Sequence, residues 1–466
     1  MRAALFLVPL LTACSTSFTT SADRPRAAER KPVDEVVRAW LQDVTGGRGI
    51  NELAECTGND DLLTGKPSSP APDGSDTPAE WGGRRAVHDV AAAVEKIRRL
   101  QFRHPVRPKF LAAKDFTYRF ADPLLSWTAS DAFALHGRLL SALGAAPSSM
   151  DLQQISHRVT SEGLEGLYIP ASEKLLVRTS DERGLSPRTR FVLAHELNHA
   201  LVHQRDLLGL AATSLHDQDA GLARLAVIEG DATLTMHRYA SHALSTADRM
   251  SILRNRSHPH NPTADLRDLP HYLQRQGSFP YDRGLEFVCE LLGDGGWKAV
   301  DAAHRNPPTE SAQVLFPSRY RSGEEGGDPR DLAGLPAPWR LVVDDVFGAA
   351  NLLWLFEAPS GDEARSLDHS LDRAAAWSGG ELNAWTKRGA IAVGLALVQR
   401  AGNRSLCRSM RAWYRASFPG VTSVKTRPGE VLAVDGGMQD AVIRCGGRDV
   451  RVGIAPTLSE ARVLAR

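Results

Sequence analysis

Residues 186–204 read SPRTRFVLAHELNHALVHQ, and this stretch constrains the fold most because it couples a helix start to two histidines four positions apart. Ser186 is a suitable N-cap and Pro187 fits the first helical position. On the helix that follows, His195 and His199 share one face and can present two imidazoles to a single ion. Glu196, one position on, is placed to act on a metal-activated water without being a ligand. Taken alone, the His-Glu-x-x-His pentad also fits an ordinary helix with exposed histidines, so its context has to decide.

A tetrahedral catalytic zinc needs a third protein ligand and an open fourth position. A histidine six residues beyond His199, with a glycine between, would mark the metzincin arrangement; the chain has Val202 and Arg205 there, which excludes it. His203 lies a full helical turn past His199 and reads as a surface histidine. The better candidate is in DAGLARLAVIEGDATLTMHRYA, where Leu222, Leu225, Ala226, Ala232 and Met236 make an apolar stripe at helical spacing and Glu229 falls inside it. A carboxylate buried there needs a cationic partner. Zinc is one such partner, and an arginine is the alternative. Gly230 in this helix costs about 1 kcal/mol relative to Ala, which makes sense if another backbone approaches closely at the metal.

HELNHAL followed by a separate helix bearing EGDAT resembles the zinc peptidases that share thermolysin's HExxH-plus-Glu arrangement, the gluzincins. More particularly it resembles a group of bacterial extracytoplasmic proteins. In these a hairpin like GLYIPASEKLLV precedes the metal helix, and segments like FPYDRGLEFV (279–288) and NPPTESAQVLFP (306–317) follow it. The likeness runs from about residue 87 to 320. It implies one zinc ion held by His195, His199 and Glu229, Glu196 as general base, and hydrolysis of a peptide or protein substrate. There is one departure: such enzymes usually carry Asp four residues after the ligand Glu, where this chain has Thr233, which leaves Asp231 as the candidate to orient a histidine. Tyr281 is the candidate oxyanion donor, because FPYDRG reads as a loop entering a helix; a tyrosine packed at a helix start is the competing reading. An exposed strand at Leu175–Val177 would align a substrate peptide by strand addition, with ordinary edge-strand packing as the alternative.

At 466 residues the chain is long enough for two or three domains. With 56 basic against 55 acidic residues it offers no single-sign field for phosphate backbones, so a nucleic-acid partner is not expected. No stretch reaches the roughly 18 apolar residues needed to span a bilayer. The N-terminus has Arg2, a mostly apolar run from Ala3 to Leu11, then Thr12, Ala13 and Cys14, the pattern of a short secretory signal over 1–13. Leu11-Thr12-Ala13-Cys14 resembles the lipobox of bacterial lipoproteins, which implies a lipid on Cys14 and a protein tethered to the outer side of a bacterial membrane. Export would put Cys56, Cys289, Cys407 and Cys445 in an oxidising compartment. Cys407 and Cys445 share the C-terminal module and are the expected disulfide; Cys289, inside the apolar LEFVC run, is expected as a buried thiol.

The expected fold class is α+β. Residues 14–32 read as a flexible tether, 33–84 as a short helical segment and a Pro/Ser/Gly-rich linker, and 85–320 as a mainly helical catalytic domain with one β-hairpin. A second linker covers 321–338. The remainder, 339–466, is a smaller α+β accessory module, helical near Val343–Phe356 and then with strands at 390–398, 431–434, 441–445 and 450–454. The rival function is a non-catalytic, zinc-stabilised binding or scaffold lipoprotein of the cell envelope. Glu196 argues against it, since a structural site needs no acid beside its ligands.

Overall fold

The computed structural model describes residues 50–58, 79–116, 130–147, 150–155, 165–179, 185–208, 217–255, 269–403, 405–437 and 439–466. The signal, Cys14, the tether and most of 33–84 lie outside these residues. The architecture is α+β. Its principal helices are α1 (Ile50–Thr57), α2 (Ala79–Arg98), α3 (Pro187–Gln204), α4 (Gln218–Ala243) and α5 (His271–Arg305), joined towards the C-terminus by α6 (Ala349–Glu357), α7 (Leu406–Ser417) and α8 (Leu458–Leu464). A small sheet is built from β1 (Lys109–Leu111), β2 (Gly166–Ile169) and β3 (Lys174–Arg178), in the order β1-β3-β2. A seven-stranded antiparallel sheet, β4 (Arg340–Val346), β5 (Trp377–Lys387), β6 (Ala390–Gln399), β7 (Thr422–Ser423), β8 (Glu430–Asp435), β9 (Asp440–Gly446) and β10 (Asp449–Ala455), runs in the order β4-β5-β6-β10-β9-β8-β7.

Local chemistry explains the boundaries near the site. At the start of α3 the Ser186 hydroxyl accepts the Thr189 N–H at 3.1 Å, with Pro187 following at a position whose missing N–H is not needed. Asp217 caps α4 by accepting the Ala220 N–H at 2.9 Å. Helix α5 is bent at Gly296 (φ 64°, ψ −162°), a conformation open to glycine, so Trp297–Arg305 leaves in a new direction. The hairpin between β2 and β3 closes through a single 3₁₀ turn at Pro170–Ser172.

Two buried clusters matter for the site. One joins Val90 and Val94 of α2, Leu175 and Val177 of β3, Phe191, Leu197 and Leu201 of α3, and Met236 of α4. The other unites Leu222 and Val227 of α4 and Phe279 and Phe287 of α5 with Phe347, Trp354, Leu395 and Trp413. Helix α3 is therefore buried on almost every side, and α4 and α5 share their core with the C-terminal sheet. The helical part and the C-terminal sheet are joined directly as well: Arg319, just before 321–338, donates to the Trp377 carbonyl at 3.0 Å and the Ala375 carbonyl at 2.6 Å.

Several expectations need correction. Helix α2 begins at Ala79, inside the segment read as linker. The stretch around Val343 is strand β4, whose buried Val343 and Asp345 alternate at period two, and the helix waits until Ala349. Strand β5 has no clear strand pattern in the sequence because Gly379 and Gly380 interrupt it; a Cβ at either would collide with backbone, of Gly327 and of Phe347 respectively, so close approach explains them. Leu175–Val177 is the central strand of its sheet, paired with β1 on one side and β2 on the other, and its side chains are buried. It has no edge to offer a peptide. The FPYDRG segment lies inside α5, Pro280 included, so Tyr281 sits in a helix interior rather than on a loop. Cys289 is no free thiol: it is bonded to Cys56, tying α1 to α5, while a second disulfide joins Cys407 to Cys445.

Candidate metal centre

Helices α3 and α4 bring together the three residues that the sequence pattern groups. His195 Nε2 lies 3.1 Å from Glu229 Oε2, His199 Nε2 lies 3.0 Å from His195 Nε2 and 3.5 Å from Glu229 Oε2. Ligands about 2.0–2.2 Å from a zinc ion at tetrahedral angles stand roughly 3.3–3.6 Å apart, so the three donor atoms mark out one slightly contracted face of such a tetrahedron. The donor set, two imidazoles and a carboxylate, can hold a metal ion. His195 is 1% and Glu229 6% exposed, so little water competes for these atoms.

The protein's own charges point the same way. Burial raises the Glu229 carboxyl, but the His199 charge and hydrogen bonds from both imidazoles outweigh it and bring the group down to about 2. Burial lowers His199, yet the Glu229 and Glu196 carboxylates push it up to about 9. Burial dominates at His195 and depresses it despite the bond to Glu229. A buried carboxylate thus draws one positive charge into the cluster.

Glu196 is 2% exposed, and its Oε2 accepts the Tyr168 N–H of β2 at 2.7 Å. The strand can come this close because residue 166 lacks a side chain: a Cβ on Gly166 would lie 2.7 Å from Glu196 Cγ and 2.9 Å from its Oε1. The Arg178 N–H donates to the Glu165 carbonyl at 2.8 Å. By the alternation of an antiparallel ladder, Glu165, Leu167 and Ile169 bond inward to β3, and the backbone groups of Gly166 and Tyr168 face outward. The strand edge beside Glu196 is β2, in place of the expected Leu175–Val177.

Tyr281 is 3% exposed, with its ring centroid 6.2 Å from that of His195. Asp231 does bind a histidine, but the partner is His304 and not a member of the cluster: His304 Nε2 to Asp231 Oδ2 is 2.8 Å, and Arg98 Nε stands 3.0 Å from Oδ1. His195 Nδ1 and the Thr233 hydroxyl have no hydrogen-bond partner among the described residues. His203 is set apart from the cluster, its Nδ1 2.9 Å from the Tyr168 hydroxyl. Arg98, Asn198 and His304 were not singled out from sequence. Arg98 carried a signal all the same, as the charged residue following Val90, Val94 and Ile97 on an apolar helix face. Cys14 lies outside the described residues.

No protein-family model, no curated protein and no solved structure matches the chain.

Proposed function

We propose that the chain is a zinc-dependent peptidase with a thermolysin-like arrangement, His195, His199 and Glu229 being the ligands and Glu196 the general base. The observation that carries the reading is the spacing of the three donor atoms, 3.0, 3.1 and 3.5 Å, with an acid that is no ligand immediately beside them. Zinc bound there would polarise a scissile carbonyl and bring the pKa of a water towards 7. Glu196 then takes the proton of the attacking water and returns it to the leaving amine. The Tyr168 N–H holds its carboxylate in place. β2 is the edge strand of the small sheet beside Glu196, and an extended peptide added to that edge makes a peptide or protein the fitting substrate. Tyr281, beside His195, is the proposed donor to the developing oxyanion.

The location proposed is the outer side of a bacterial membrane, through a lipid on Cys14. Two disulfides among the described cysteines support an oxidising compartment. No helix among the described residues is long and apolar enough to cross a membrane.

Two substitutions separate enzyme from scaffold. Glu229→Ala removes a ligand, so zinc content and melting temperature should both fall. Glu196→Gln keeps the ligands and removes the proton carrier, so zinc content should hold while peptide hydrolysis drops about a hundredfold or more. Undiminished zinc binding by Glu229→Ala refutes the ligand set. If both variants leave hydrolysis unchanged, the scaffold reading is favoured.

A further inference from the structure

Beside the three proposed ligands lies a second buried polar cluster that the chemistry above does not use. Asp231 is its hub. Its carboxylate meets His304 at 2.8 Å and Arg98 at 3.0 Å, and a hydrogen bond joins it to Asn198. Thr235, one turn further along α4, donates to Asn198 Oδ1 at 3.2 Å. Arg98 Nη2 also reaches Asp301 at 2.8 Å, and its guanidinium lies 4.1 Å from the Trp297 ring centroid. The side chains of Arg98 and Asp231 are both 0% exposed, so solvent and salt do little to screen them.

The cluster draws on four separate stretches of chain. Arg98 is the last residue of α2, Asn198 lies on α3 between the two histidines, and Asp231 is two residues past Glu229 on α4. Trp297, Asp301 and His304 follow one another at i, i+4 and i+7 and so occupy one face of α5 beyond its bend at Gly296. No bond from a neighbouring side chain fixes the His195 ring at Nδ1 among the described residues, and Thr233 supplies none. The ligand helices must be aligned in another way.

We propose that Arg98 and His304, acting through Asp231, are positioning residues for the metal centre: they hold α4 against α3 so that Glu229 meets His195 and His199. This rests on the metal-centre reading above. A carboxylate held by two hydrogen bonds and a buried ion pair fixes its own stretch of backbone, and Glu229, two residues away, inherits that position. The Asn198 bond places the same constraint on α3 directly between the two histidines.

The test compares His304→Leu, which removes the donor to Asp231, with His304→Gln, whose amide can restore it. Readouts are zinc affinity by chelator competition, measured well below the melting temperature, and the visible absorption of the cobalt-substituted protein. We expect His304→Leu to bind zinc about 10–100-fold more weakly with an altered cobalt spectrum, and His304→Gln to recover most of both. Arg98→Lys keeps the charge but loses the two-point reach to Asp231 and Asp301, and it should show the same defect should His304→Leu fail to fold. A merely structural role would lower the melting temperature and leave the affinity and spectrum of the folded protein unchanged; that result in either His304→Leu or Arg98→Lys overturns the proposal. A parent protein that binds neither zinc nor cobalt refutes the metal-centre reading itself, and the proposal with it.

Discussion

Replacing Gly230 by Ala should destabilise the protein and weaken its metal centre, although Ala is the better helix former. A Cβ at residue 230 would lie 3.0 Å from Gly284 Cα and nearer still to the Gly284 carbonyl. Carbon atoms pack best at about 3.5–4.0 Å, so α4 and α5 would have to part by roughly 1 Å. No rotamer offers relief, because both obstacles are backbone. Overpacking of this kind costs about 1–3 kcal/mol, here at the upper end, against a gain of about 1 kcal/mol in helix propensity; a net loss of about 2 kcal/mol follows. Glu229 is the adjacent residue, and a shift of about 1 Å is large beside donor separations of 3.0–3.5 Å, so zinc affinity should fall with stability. Gly293, also in α5, has nothing within 4 Å of its hypothetical Cβ. Gly293→Ala therefore keeps only the propensity term and should stabilise by up to about 1 kcal/mol. Urea unfolding and zinc titration of the two variants decide the matter. Equal stabilisation by both would show that the contact between α4 and α5 is not as close as described.

Two further predictions concern pH and location. Asp219 is pushed up to about 7, chiefly by burial; a raised carboxyl stabilises the fold while protonated, fully so below its unfolded value of about 3.9, and the contribution is lost as pH rises through 7. Asp219→Asn cannot ionise, so its stability relative to the parent should improve from pH 5 to pH 7, by at most about 1.4 kcal/mol per pH unit; a pH-independent difference in urea unfolding would contradict this. Cys14→Ser should move the protein from membrane to soluble fractions without unfolding it, and a variant that still sediments with membranes at high salt would exclude the lipid anchor.

The features legible in the residues themselves were local. Ser186-Pro187 and the spacing of His195 and His199 follow from the start and period of one helix, and Glu229 stood out as a carboxylate inside an apolar stripe. The β2–β3 hairpin was legible because turn residues separate two apolar runs. Long-range pairing was not. Which strand of the small sheet is central depends on β1, a distant segment that pairs in parallel with β3. The Cys56–Cys289 bond spans 233 residues, and no spacing rule selects it from three possible connectivities. Gly230 suggested a close backbone approach, but only the tertiary structure shows that Gly284 makes it. Asp231 could be marked as a partner for some histidine; that the histidine is His304, with Arg98 on the other oxygen, was decided by how α2, α4 and the bent end of α5 pack. Helical period and capping act over a few residues and can be read from them. A buried charge takes its partner from whichever helix packing brings within about 3 Å, and sequence distance carries no information about that.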